Sequence, residues 1–197
     1  MTETYTAILE RNIVRSIDAK RQLLSDHETL ALFERIVSVV VAAYREGGRL
    51  YIAGNGGSAA DAQHLAAEFV SKLARSRQPL PAEALTTDTS ILTAIGNDYG
   101  YEYVFSRQLA GKLTPKDIFL GITTSGNSAN IIEALKVCRE KGVTSIVLAG
   151  RDGGKVKALA DYCLIAPGEY TSQIQETHLV IEHTLCECVE AQVGQFI

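Results

Sequence analysis

Apolar residues recur every three or four positions through the first 45 residues of the chain. Tyr5, Ile8, Leu9, Ile13, Ile17 and Leu24 mark one stripe over residues 4–24, and Leu30, Phe33, Ile36, Val37, Val40 and Tyr44 mark a second over 28–45. That spacing predicts two opening helices. The second also carries Leu32, Val39 and Val41 off its main stripe, and a helix apolar on more than one face is buried on more than one side. Either another subunit covers it, or neighbouring elements of its own chain do.

Gly47-Gly48 closes this helical region, and the period then changes. Short β-prone runs follow at Leu50-Tyr51-Ile52, at Ile118 to Ile122 and at Ser145 to Leu148, with weaker ones at Glu83 to Thr86 and Cys163 to Ala166. Helical segments separate them at 58–74, 103–111, 128–141 and 153–161, and a last helix runs from about 172 to 192. Strands alternating with helices make an α/β protein with a parallel sheet of about five strands.

At 197 residues the whole chain, 1–197, fits one domain around a single core. With 46% hydrophobic and 21% charged residues, enough apolar surface exists to offset the entropy of ordering. A formal net charge of -4 gives no basic face for nucleic acid, and Lys72, Arg75 and Arg77 read as a solvated helix end. Cys138, Cys163, Cys186 and Cys188 form neither a C-x-x-C pair nor a regular framework, which points to reduced cytosolic thiols. Glu3, Glu10 and Arg11 interrupt the N-terminal apolar positions, and no apolar run approaches the roughly 18 residues of a membrane span. The expectation is a cytoplasmic protein without a membrane partner.

Two loops carry the first candidate chemistry. Gly54-Asn55-Gly56-Gly57-Ser58 lies between an apolar run and a helical one, and Thr123-Thr124-Ser125-Gly126-Asn127-Ser128 repeats the arrangement. Glycine lets the backbone approach a ligand, and helix N-termini and hydroxyls attract an anion. Ser128 is placed to cap the helix at Ala129. Simple strand-to-helix turns use the same residues, but two such loops after parallel strands favour anion binding. Neither fits a nucleotide fingerprint, so a small phosphorylated metabolite is expected.

His64 and Glu68 stand four apart on the helix after the first loop, which suits two ligands of one metal or an acid and base pair. A solvent-facing ion pair is the plain alternative. The helix begins at the ligand loop, and Leu65, Ala66, Ala67, Phe69 and Val70 around the pair predict burial. On the last helix, His183 by itself reads as a hydrogen-bonded core histidine. His178 and His27 read as surface or structural residues.

The segments GNGGSAADAQH (54–64), LTTDTSILTAIGNDYG (85–100), TSGNSANI (124–131), GRDGGK (150–155) and IQETH (174–178) closely resemble the bacterial phosphoheptose isomerases of the sugar isomerase (SIS) domain family. The resemblance implies a three-layer sandwich: a five-stranded parallel sheet flanked by helices and preceded by two N-terminal helices, residues 1–47, that contribute to the oligomer interface. It implies a homotetramer whose active sites draw on adjacent subunits. It also implies conversion of D-sedoheptulose 7-phosphate to D-glycero-D-manno-heptose 7-phosphate, the first step toward activated heptose for surface polysaccharide. By position, Ser58, Thr123, Thr124, Ser125 and Ser128 would hold the phosphate end or neighbouring hydroxyls, and Asn55, Gly56, Gly57, Asn97 and Asp98 would line the sugar. Gln175 would contact substrate as well. His64, Glu68, Gln175 and His183 would ligate one zinc ion, and Glu68 and His183 would be the catalytic pair.

The chain departs from many relatives at Lys72 and Gln173, where they carry arginine. Lysine loses the bidentate fork and glutamine loses the charge too. Gln175 and His183 lie eight residues apart, about 12 Å along an ideal helix, so both reach one ion only at full stretch or from an irregular helix start. The competing class is a non-catalytic SIS domain, such as the bacterial protein that binds the replication initiator. Retention of His64, Glu68 and His183 together favours the enzyme.

Overall fold

The structure, a computed structural model, describes residues 3–193, so the ends of the 1–197 domain expectation lie outside the described residues. Helices α1 (Tyr5–Ser25) and α2 (His27–Arg45) open the chain. An alternation follows: β1 (Leu50–Gly54), α3 (Gly57–Val70), β2 (Ala82–Ala84), α4 (Thr89–Asp98), α5 (Ser106–Lys112), β3 (Ile118–Thr123), α6 (Ala129–Lys141), β4 (Thr144–Gly150), β5 (Tyr162–Ala166) and α7 (Thr171–Val193). The five strands pair in parallel in the order β2-β1-β3-β4-β5.

Alternate residues of each strand feed two cores, as the period-2 geometry of a strand requires. Leu50, Ile52, Leu120, Ile122, Ile146 and Leu148 pack beneath α2, α3 and α7, while Tyr51, Ala53, Phe119, Val147 and Ala149 meet α5 and α6. The result is the three-layer sandwich. Buried Asp117 aligns two strand starts, its carboxylate accepting from Arg49 N at 2.8 Å and Thr114 N at 2.7 Å. Asp161 does the same at β4 through Ser145 N, 2.8 Å away.

Leu32 and Val39 of α2 pack half-buried against the core of their own chain and Val41 is buried there, so neighbouring elements cover part of its second apolar face. A fuller outward apolar surface belongs to α1, where Tyr5, Leu9, Ile13, Val14, Ile17 and Leu24 are all exposed. Polar contacts hold α1 to α7 and the residue before it: Ser16 donates to Glu176, Lys20 Nζ lies 3.7 Å from Glu176 Oε2, and the Arg15 guanidinium sits 4.7 Å over the ring of Tyr170.

Three local expectations change. A helix, α4, forms where none was predicted, because Asp88 caps it by accepting from Ile91 N at 2.9 Å. The predicted helix at 153–161 is only a 3-10 turn, Lys155–Ala158, since Gly153 and Gly154 take φ of 85° and 49° ahead of it. The helix expected over 58–74 stops at Val70. There Arg77, expected in a solvated patch, is buried and donates to the carbonyls of Glu68 and Phe69 at 2.9 and 2.7 Å.

Candidate active site

In the strand order β2-β1-β3-β4-β5 the chain leaves β1 toward one side of the sheet and β3 toward the other. The crevice beyond the carboxyl ends of such a neighbouring pair is the topological switch point where ligands bind. Both predicted loops stand there, one after β1 and one after β3.

The helices that follow these loops lack a side-chain cap bond at their N-termini, as the short α5 does, in contrast to α1, α2 and α4. Thr4, Asp26 and Asp88 cap α1, α2 and α4 with side-chain bonds. Neither Gly56 before α3 nor Ser128 before α6 makes such a bond. Ser128 occupies the cap position as expected, but its hydroxyl pairs with Thr123 Oγ1 at 2.9 Å instead. Among the described residues the positive ends of α3 and α6 are therefore left without a side-chain cap, which suits an anionic ligand.

The second loop is braced from behind. Gly126 takes φ 67°, and a Cβ there would come within 2.2 Å of the Gly153 carbonyl oxygen, so only glycine fits. Asn127 Oδ1 accepts from Lys155 N at 3.2 Å, and its amide donates to Ser125 O at 2.8 Å. Ser125 and Thr124 stay partly exposed, while Thr123 and Ser58 are buried.

A reciprocal amide pair joins the two loops. Asn55 Nδ2 donates to Asn130 Oδ1 at 2.9 Å, and Asn130 Nδ2 donates back to Asn55 Oδ1 at 2.8 Å. Tyr101 Oη adds a bond to the same Asn55 oxygen at 3.2 Å. Neither Asn130 nor Tyr101 was singled out from sequence, although Asn130 lies inside the TSGNSANI segment. Asn97 and Asp98 occupy the exposed end of α4, bonded to one another at 2.8 Å.

Beside the loops, α3 and α7 bring the titratable residues together. His64 Nε2 lies 2.9 Å from His183 Nε2 and 3.6 Å from Glu68 Oε1, and one ligand atom from each residue falls within 4.8 Å of the others. Two imidazoles and a carboxylate with atoms this close fit the donor set of a catalytic zinc ion. The core reading of His183 thus gives way to a cluster. Ala67 and Val70, predicted buried on this helix, are exposed. Gln175 approaches the first loop: a Cβ on Gly57 would sit 2.1 Å from its Nε2, so glycine there makes room for the amide.

Behind the cluster, α7 buries further polar residues, among them His178, Glu182 and Gln173. His178 is fully buried, donating Nε2–H to Ala149 O at 2.8 Å and leaving Nδ1 without a partner among the described residues. Burial pulls it down to about 4, against the pull of that carbonyl. Burial, then the charge of Asp61, pushes the Glu182 carboxyl up to about 8. Among the described residues neither Glu182 oxygen has a hydrogen-bond partner. Gln173, the departure from arginine, is also buried, and its Oε1 accepts from Glu169 N at 3.0 Å and Tyr170 N at 3.3 Å. Arginine, a donor only, has no acceptor for these amides. Lys72 is exposed. Burial pushes the Cys138 and Cys186 thiols up to about 12, which removes them as nucleophiles.

Residues 15–150 match the SIS domain family model. The fold and the site together define a sugar isomerase domain. Over 94% of its length the chain is 51% identical to a phosphoheptose isomerase of Aneurinibacillus thermoaerophilus, covering 93% of that protein. It is 46% identical to phosphoheptose isomerase 2 of Campylobacter jejuni over 97% of its own length and 95% of the relative's. The structure of phosphoheptose isomerase GmhA from Neisseria gonorrhoeae superposes with a TM-score of 0.90 at 40% identity, covering 95% of this chain and all of that one. The chain belongs to the phosphoheptose isomerases of the SIS domain family, and is a sugar-phosphate isomerase.

Proposed function

We propose that the protein converts D-sedoheptulose 7-phosphate to D-glycero-D-manno-heptose 7-phosphate through an enediol, as the first step toward activated heptose for surface polysaccharide. The observation that carries this reading is the meeting of His64, Glu68 and His183 beside two loops whose helix N-termini lack side-chain caps. Ser58, Thr123, Thr124, Ser125 and Ser128 hold the phosphate end. Asn55, Gly56, Gly57, Asn97, Asp98 and Gln175 line the sugar.

Ketose-to-aldose conversion moves one proton from C1 to C2 and another between the attached oxygens. Glu68 takes the proton from C1 and returns it to C2. His183 gives a proton to O2 and removes one from O1. His64, Glu68, Gln175 and His183 would hold the ion, the Glu68 carboxylate having one oxygen for the metal and one for the proton. Zinc bound there would supply Lewis-acid polarisation of the ketose carbonyl.

The exposed stripe on α1 supports assembly into a homotetramer, and the half-exposed His64 and exposed Asn97 and Asp98 leave room for a neighbouring subunit at each site. Among the described residues no helix is long and apolar enough to cross a membrane, and the proposed location is the cytoplasm.

The test is to incubate the protein with sedoheptulose 7-phosphate, with and without chelator and added zinc, and follow aldose formation. Conversion that a chelator stops and zinc restores is expected. Glu68→Gln and His183→Ala should each abolish turnover in a folded protein. No conversion under any condition would favour a non-catalytic SIS domain, such as one that binds the replication initiator, and near-normal rates in either variant would refute the assigned roles.

A further inference from the structure

Arg77 stands outside the substrate loops and the metal cluster, yet it joins the two helices that build the cluster. Its side chain is fully buried and spends its donors on fixed acceptors: Nε to Glu190 Oε1 at 2.8 Å, NH2 to Glu68 O at 2.9 Å, and NH1 to Phe69 O at 2.7 Å and Gln78 O at 3.1 Å. Glu190 is buried as well and accepts from Leu73 N at 2.9 Å and Ala74 N at 3.4 Å. The carbonyls of Glu68 and Phe69 belong to the last turn of α3, where no further helical N–H is available to them. Glu190 comes seven residues after His183 on α7, two turns along and on nearly the same face.

One guanidinium therefore binds the peptide oxygen of Glu68 and, through Glu190, the helix that carries His183. A helix end can be closed by water or by a glycine, whereas a buried ion pair carries a desolvation cost that makes it a weak source of stability. What the pair adds is register. The fork geometry of arginine fixes the rotation of the last turn of α3 against α7 and so sets where the Glu68 carboxylate points relative to His64 and His183.

We propose that Arg77, held by Glu190, is a positioning residue that fixes Glu68 of α3 against His183 of α7. The inference rests on the assignment of Glu68 and His183 as the reacting pair. Outer groups that orient ligands typically matter about 10–100-fold in metal affinity or activity.

The deciding variant is Arg77→Lys, which keeps the charge beside Glu190 but cannot reach both carbonyls with a planar fork. Three quantities are read: kcat and KM for sedoheptulose 7-phosphate, and zinc affinity by competition with a chromophoric chelator. Expected are a kcat lower by about tenfold or more, a KM within about twofold because the substrate loops are untouched, and a zinc affinity weaker by about tenfold. Glu190→Gln, which keeps a neutral acceptor for Arg77 and for Leu73 N, should show the same split in smaller degree and serves if the lysine variant does not fold. Val143→Ala, a cavity in the opposite core layer, controls for lost stability and should leave kcat unchanged.

A folded Arg77→Lys, or Glu190→Gln in its place, with kcat and zinc affinity both within twofold of the parent overturns the proposal. So does a kcat loss that Val143→Ala matches at equal loss of stability. If the parent protein itself neither turns over nor binds zinc, the isomerase reading fails, and this inference falls with it for a separately visible reason.

Discussion

Glu182 is neighbour to His183 in sequence and its opposite in environment, fully buried where His183 joins the cluster. A carboxyl raised from 4.5 to about 8 is neutral in the fold and ionised in the unfolded chain between those values. The unfolded state then binds fewer protons, so stability falls as pH rises from about 4.5 to about 8 and changes little beyond. His178 works the other way: with its imidazole lowered from 6.5 to about 4, stability is lost as pH falls through that interval. Replacing Glu182 by leucine, of similar volume, should remove the alkaline penalty alone. Urea denaturation should show the leucine variant more stable than the parent at pH 8 by roughly 3–6 kcal/mol, a gain that shrinks toward pH 5. An equal gain at both pH values would mean that the carboxyl is not neutral in the fold.

At the scale of elements, the Asn55–Asn130 amide pair decides how two separate strand-to-helix turns become one site. Asn130→Ala breaks both bonds and frees the first loop from the N-terminus of α6. The expected cost is about 1–3 kcal/mol of stability and a KM for the sugar phosphate raised about tenfold. Asn130→Asp separates structure from binding. An acid in the first turn of α6 favours the helix but repels a phosphate at the same place. Its thermal midpoint should exceed that of the alanine variant while its KM is higher still. Steady-state kinetics and thermal melts on the two variants check this, and a lower KM in the aspartate variant would put the phosphate elsewhere.

What could be read from sequence follows the range of the interactions. The runs around β1, β3 and β4 and the i,i+4 spacing of His64 and Glu68 are local, and each was legible. The weaker strands β2 and β5 also fell close to their expected positions. Helix α4 was missed because its interior is rich in β-branched residues and glycine, and its main signal was the single cap Asp88. The 3-10 turn was overread because Val156, Leu159 and Ala160 mimic a helical stripe after two glycines that take positive φ. Pairings such as His64 with His183, across 119 residues, or Arg77 with Glu190, across 113, are set by the packing of α3 on α7. No window of sequence contains them. The residue resemblance placed His183 in the cluster where the local pattern had placed it in the core.

For the whole molecule, the outward face of α1 presents large apolar side chains to water. Only Ala19 of this helix is buried, although six large apolar side chains stand on it exposed. On the proposed tetramer reading this stripe is the contact between copies of the chain. Leu9→Glu with Ile13→Glu should split the assembly by placing charges in its contact. The fold should survive, because the core lies beneath α2, α3 and α7 on one side of the sheet and α5 and α6 on the other. Sedimentation equilibrium should show the parent as a tetramer and the double variant as smaller species with unchanged far-ultraviolet circular dichroism. If adjacent subunits complete each site, turnover should fall at least about tenfold on dissociation, since a missing positioning group costs that much on its own. Dissociation with full activity would confine each site to one chain, and a double variant with the parent's mass would move the interface away from α1.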